Sequence, residues 1–133
     1  MKHKKEFPSV KSIIEILEPS DAQISPNGKQ IAYVIRQPDW EQNKYANQVW
    51  VANAEENSHC SGKIVMSDSH SPRWSPNGRW ISLISHAIGQ NSPMLKILSA
   101  VDHGIAHQIP LENGGYAFAW SPDSRLLAYL AED

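Results

Sequence analysis

The chain has 133 residues, the length of one ordinary domain, and enough apolar side chains to bury a core. Twelve Lys and Arg stand against fourteen Asp and Glu, a net charge of −2, which argues against a nucleic-acid partner and its demand for a basic surface. No apolar run approaches the ~18 residues that cross a bilayer, and the single Cys60 has no internal disulfide partner, so the composition implies a cytoplasmic protein with no membrane segment.

The start, Met1 to Pro8, is basic but leads to no hydrophobic stretch of signal-peptide length. Val10, Ile13, Ile14 and Leu17 then follow the i, i+3, i+4, i+7 spacing of a short helix, with Ser9 as N-cap and Pro19 beyond its end. So short a helix must dock on something to persist, and a strand over Ile13–Leu17 is the alternative reading.

From residue 20 the period changes and a repeat begins. Ala22-Gln23-Ile24-Ser25-Pro26-Asn27-Gly28-Lys29-Gln30-Ile31-Ala32-Tyr33-Val34 returns as Pro72-Arg73-Trp74-Ser75-Pro76-Asn77-Gly78-Arg79-Trp80-Ile81-Ser82-Leu83-Ile84. It returns again from Phe118 through Trp120-Ser121-Pro122-Asp123-Ser124-Arg125 to Leu130. The serines lie 50 and then 46 residues apart, a spacing that suits a four-stranded propeller blade of ~40–50 residues. Each core reads as a type I turn between two strands: Pro pre-sets φ at the second position and Gly28 or Gly78 enters the left-handed region freely. Ser124 stands where the other copies have glycine, and a left-handed residue there is strained.

The spacing predicts strands A (22–25, 72–75), B (30–36, 79–85), C (48–53, 94–100) and D (62–66, 106–109), with only A and B in the third unit. The fold class is therefore all-β: a partial β-propeller of four-stranded antiparallel blades, about two and a half of them, preceded by the short N-terminal helix. The expected division is an N-terminal extension 1–19, blade one 20–67, blade two 68–112 and a half blade 113–133.

Between strands, Gln37 to Asn47 reads as a long B–C loop carrying Trp40 and Tyr45. These two aromatics are the candidate functional residues, as an interdomain contact or as lining of a substrate chamber. Trp50 and Trp80 read as packing between blades. Trp74 and Trp120 precede their turns where Ile24 stands in the first copy, which points to an apolar packing role. His103 and His107 flank Gly104 in a predicted turn, and His59 beside Cys60 lies in a polar C–D loop from Asn57 to Gly62. Neither pattern completes a metal site or an activated thiol, so no metal or other cofactor is expected.

The run Ser20-Asp21-Ala22-Gln23-Ile24-Ser25-Pro26-Asn27-Gly28, followed by Asn43-Lys44-Tyr45-Ala46-Asn47-Gln48-Val49-Trp50 and Ser71-Pro72-Arg73-Trp74-Ser75-Pro76, resembles the propeller entry of bacterial dipeptidyl aminopeptidases and acylaminoacyl-peptidases. These are serine peptidases of the prolyl oligopeptidase family. The resemblance covers the chain from about residue 9 onward; Asn27 and Asn77 replace the more usual Asp. It implies a non-catalytic N-terminal propeller segment that gates access of short peptides to a following α/β-hydrolase domain. That domain is the expected partner, covering the B–C face with Trp40 and Tyr45. No Gly-x-Ser-x-Gly elbow occurs in the sequence, so no catalytic residue is assigned to any position. An open blade edge at the third unit implies self-association of the chain. The Ser-Pro-Asx-Gly turn is shared with TolB-like propellers, and a free-standing protein-binding scaffold of that type is the alternative function.

Overall fold

The computed structural model describes residues 17–54, 62–86, 89, 91–112 and 117–130. The expected helix lies outside the described residues apart from Leu17. So do His59 and Cys60. Strand β1 (Glu18–Ile24) begins earlier than its turn motif suggested and runs through Pro19. It is followed by β2 (Gln30–Asp39), β3 (Lys44–Asn53) and β4 (Lys63–Ser67), which pair in simple antiparallel order as one sheet. The second sheet repeats the plan with β5 (Ser69–Trp74), β6 (Trp80–Ser85), β7 (Met94–Ser99) and β8 (Ile105–Pro110). The third unit contributes the hairpin β9 (Phe118–Trp120) and β10 (Leu127–Tyr129). Every strand of the first sheet comes from one continuous stretch of chain. Among the described residues, blade one takes no strand from elsewhere.

The repeated turn explains why the motif has the residues it has. In the first copy the Gly28 N–H donates to the Ser25 carbonyl at 2.8 Å, closing the turn, and Gly28 sits at φ +72°. The Ser25 hydroxyl donates to Asn27 Oδ1 at 2.7 Å and accepts from the Gln30 N–H at 3.0 Å, while Asn27 Oδ1 also accepts from the Lys29 N–H. The same four contacts recur around Ser75 and Asn77. They recur again around Ser121 and Asp123. The position directly after the proline needs a side-chain oxygen, which Asn and Asp supply equally. In the third turn the Ser121 hydroxyl, then the Arg125 N–H, hold the exposed Asp123 carboxyl below the usual carboxylate range.

Alternation along the strands sorts the faces. Val34 and Val49 of blade one pack against Leu83 and Leu98 of blade two, and Ala32 and Val51 meet Ile81. Ile84 and Leu95 turn the other way, toward Phe118 and Leu127 of the third unit. The core is thus a succession of blade-to-blade seams. Trp80 shares the face of Ser82 and Ile84, toward the third unit, as a residue between blades should. Trp50 does not. It pairs with Tyr33 across β2 and β3, on the face opposite Val49 and Val51, and so looks away from blade two.

Polar contacts cross the same seams. Arg73 of β5 donates to both carboxylate oxygens of Asp21 in β1, at 3.0 and 2.9 Å. Asp21 and Ser71 each mark a β-bulge with positive φ, at equivalent places in strands β1 and β5. The apolar packing expected of Trp74 is present, against the cluster of Ala32, Val51 and Ile81, and Trp74 and Trp120 each add a polar contact to the preceding blade. The Trp74 indole N–H donates to the Gln23 carbonyl of the preceding blade at 3.0 Å. That of Trp120 donates to the Ser82 hydroxyl at 2.9 Å, which passes the bond on to the Arg73 carbonyl. Among the described residues no blade precedes Ile24, which is 68% exposed.

Ser124 does adopt the left-handed conformation, at φ 60°. Its hydroxyl, however, accepts from the Asn77 N–H of the neighbouring turn at 2.9 Å. Turn stacks on turn here, as Gly78 lies against Pro26. Replacing Ser124 by glycine therefore relieves about 1 kcal/mol of backbone strain but loses a hydrogen bond of about the same size. Ser124→Gly is expected to leave stability nearly unchanged, while Ser124→Ala, which keeps the strain and loses the bond, lowers it by about 1 kcal/mol. Urea unfolding of the two variants checks this; a clear gain for Ser124→Gly would show the interblade bond to be worthless.

Candidate functional site

The predicted long B–C loop is instead a long hairpin. Strands β2 and β3 stay in register from Gln30↔Asn53 to Asp39↔Lys44, leaving only Trp40 to Asn43 as the turn. Asp39 Oδ1 accepts from the N–H groups of Glu41 and Gln42, both at 3.1 Å, and Asn43 closes the turn at φ 49°. Asp and Asn are the residues that make such turns at low cost. The side-chain pattern had suggested a loop because Gln37, Pro38 and Asp39 carry little apolar signal, yet cross-strand pairing continues through them.

Trp40 at the tip and Tyr45 on β3 are 55% and 50% exposed. They line one hollow of about 200 Å³ together with Pro38, Asn43 and Lys44. The Arg36 guanidinium lies 4.0 Å from the Tyr45 ring centroid, a cation–π contact that fixes the ring against the hairpin. Its ion pair with Glu18, at 3.6 Å and solvent-exposed, adds little. The hairpin thus presents two aromatics on a stiff support, beside a wider depression of about 510 Å³ that runs past Trp40 to Ser67 and Asp68.

A second pair of residues, neither of them singled out by the sequence, meets this end of the blades. His70 stands in β5 opposite Ile84, so His86 lies just past the end of β6 on the same side. Their Nε2 atoms are 2.9 Å apart. His70 Nδ1 is 2.8 Å from the Ser71 hydroxyl, and the His86 N–H donates to the Asp68 carbonyl at 2.7 Å. Burial, then the His86 charge, hold His70 below the ordinary histidine value, against an opposing pull from Asp21. Tyr45, Asn47, Asp68 and both histidines line a common cavity of about 190 Å³ between the two blades. A sixteen-residue spacing says nothing by itself; only the β5–β6 register makes neighbours of these rings.

His103 and His107 are not brought into any such arrangement. His103 sits in the β7–β8 turn at φ 59°, and His107 lies in β8 opposite Ile97, exposed. Among the described residues, no three His, Cys, Asp or Glu side chains are grouped to hold a metal ion.

No family model matches the chain. Over 111 residues, 84% of its length, it is 29% identical to the uncharacterized peptidase YuxL of Bacillus subtilis. Over 113 residues, 82% of its length, it is 28% identical to dipeptidyl-peptidase 5 of Porphyromonas endodontalis. It spans only 17% and 16% of those two proteins. Among solved structures, it superposes on an acylaminoacyl peptidase of Pyrococcus horikoshii with a TM-score of 0.71 at 24% identity, covering 88% of this chain and 17% of that one. It also superposes on the β-propeller domain of the Trilobed protease from Pyrococcus furiosus, which has an open velcro topology, with a TM-score of 0.68 at 21% identity. That match covers 85% of this chain and 33% of the other. The fold is that of a β-propeller, and the sequence relatives are peptidases.

Proposed function

We propose, for a chain that matches the propeller region of prolyl oligopeptidase-family peptidases, that it is the non-catalytic propeller segment of a serine peptidase acting on short peptides. The observation that carries this reading is the match over most of the chain to proteins named as peptidases, with a match of fold to propellers of peptidases. In this reading an α/β-hydrolase domain of the same polypeptide covers the hairpin end of the blades. Trp40 and Tyr45 pack against it or line its entrance, and the seam cavities open toward the chamber. The propeller admits short peptides and turns folded proteins away, in the cytoplasm. Blade limits of 20–67, 68–112 and 113–133 belong to the same proposal.

The 133-residue chain by itself is then inactive and incompletely covered. The outward face of the third hairpin leaves Leu126 and Leu130 70% and 67% exposed, and among the described residues β10 has no strand partner besides β9. Pure chain is expected to show no inhibitor-sensitive turnover of aminoacyl or acyl-peptide chromogenic substrates, and to self-associate at micromolar concentration in light scattering. Turnover above background refutes the assignment to a non-catalytic segment; a strictly monomeric folded species refutes the open edge. The gating role is tested in a polypeptide that carries this segment together with its hydrolase domain. There, Trp40→Ala with Tyr45→Ala should raise cleavage of long peptides relative to a dipeptide substrate. Unchanged selectivity removes the gate.

A further inference from the structure

Among the described residues six serines are buried: Ser25, Ser69, Ser75, Ser82, Ser85 and Ser124. Five of their hydroxyls are engaged, in the turns, at the β4–β5 link or across the seams. That of Ser85 is not. The residue is only 2% exposed, and its Oγ has no hydrogen-bond partner. Leaving a buried hydroxyl unpaired is costly, so the surroundings of this one were searched for what would satisfy it.

Ser85 alternates with Ile81 and Leu83 along β6 and so faces blade one. Lys96 stands opposite Leu83 on β7, which puts it on the same face and diagonal to Ser85 across the ladder. From the other side β4 brings Ile64, Val65 and Met66, and the link to β5 brings Asp68. Together they line a cavity of about 410 Å³ between the two blades. Asp68 is held at φ 45°, and its carbonyl accepts from the His86 N–H at 2.7 Å, which ties the link to the end of β6. Lys96 and Asp68 line one cavity and yet form no ion pair with each other. Among the described residues neither side chain has a hydrogen-bonding or ionic partner.

Two unpaired charges of opposite sign select the ligand. A simple anion drawn to Lys96 meets the Asp68 carboxylate, and a simple cation drawn to Asp68 meets the Lys96 ammonium. A molecule that carries both charges satisfies both: its carboxylate accepts from Lys96, and its ammonium donates to Asp68. The Ser85 hydroxyl turns between staggered positions about a single bond and supplies the carboxylate with a second donor. Ile64, Val65 and Met66 then receive an apolar side chain, and the volume falls within the usual range for small-molecule sites. We propose that this seam cavity binds a free zwitterion with an apolar side chain, an unblocked amino acid or dipeptide of the leucine kind. Because its walls come from β4 of one blade and from β6 and β7 of the next, occupancy stabilises the seam. The site stands on the cavity and its charges and not on the peptidase reading.

Titration of the 133-residue chain with leucine and with leucyl-leucine, up to about 20 mM and followed by amide ¹H–¹⁵N spectra, tests it. Saturable shifts are expected at residues 64–68, 85–86 and 94–96, and the tighter of the two ligands gives the length the site prefers. Leucinamide lacks the carboxylate and N-acetyl-leucine the ammonium, so each should bind about tenfold more weakly. Lys96→Met and Asp68→Asn should each cost about the same factor, Asn being tolerant of the left-handed position, whereas Lys96→Arg keeps binding. Ser85→Ala should weaken binding several-fold and leave the free chain no less stable, since it removes an unpartnered group; earlier unfolding would assign the hydroxyl to the fold. Absence of saturable shifts at these residues overturns the site. Equal binding of leucinamide or N-acetyl-leucine overturns it too. Inorganic phosphate shifting the same residues while leucine does not would mark a plain anion site instead. The ligand series needs only the wild-type chain, so the test holds even where a variant fails to fold.

Discussion

Leu83→Ala is expected to cost about 2–5 kcal/mol and to lower the melting temperature by roughly 10 °C or more. Leu83 is fully buried on β6 and meets Val34 and Val49 of the neighbouring blade. Truncation removes apolar contact from both sides of the seam at once. The space left cannot collapse easily, because the flanking strands are held by their own ladders and by the Arg73–Asp21 and Trp74–Gln23 contacts. A domain of this size has about 5–15 kcal/mol to lose, so the change takes a large share of it. Leu126→Ala is the control: Leu126 is 70% exposed, and its truncation should leave unfolding within about 0.5 kcal/mol of wild type. Thermal and urea unfolding measure both. If the two substitutions have similar effects, the blades do not share the seam described above.

Ser75→Ala should cost about 2 kcal/mol, more than the same change at Ser121. Ser75 is fully buried, and its hydroxyl donates to Asn77 Oδ1 at 2.7 Å while accepting from the Trp80 N–H at 3.0 Å. Alanine strands the Trp80 N–H at the head of β6, one of the two inner strands of blade two, and frees the turn that seats Asn77 against Ser124. At Ser121 the equivalent bonds are exposed, so water takes their place and the loss is about 0.5 kcal/mol. The order of the two effects, read from urea midpoints, is the decisive result. An equal or larger loss at Ser121 would falsify the claim that burial sets the strength of these turns.

The sequence by itself determined the repeat, the turns and the blade plan. This was possible because Ser-Pro-Asx-Gly is a local device: its hydroxyl, its side-chain oxygen and its left-handed glycine act on backbone groups within five residues. Period-two alternation then carries each strand outward from the turn without help from the rest of the molecule. Even the odd residue, Ser124, announced its left-handed conformation. The tertiary structure alone decided what each blade does for the next. Ser124 reaching Asn77, Trp120 reaching Ser82 and Arg73 reaching Asp21 join residues 47, 38 and 52 positions apart, and no local pattern encodes them. Trp40 and Tyr45 were legible as exposed aromatics, but their stiff hairpin was not, since cross-strand hydrogen bonds form as well between polar residues as between apolar ones. The two histidines were invisible as a pair for the same reason: it is strand register, a property of the folded sheet, that brings the Nε2 atoms of His70 and His86 to 2.9 Å.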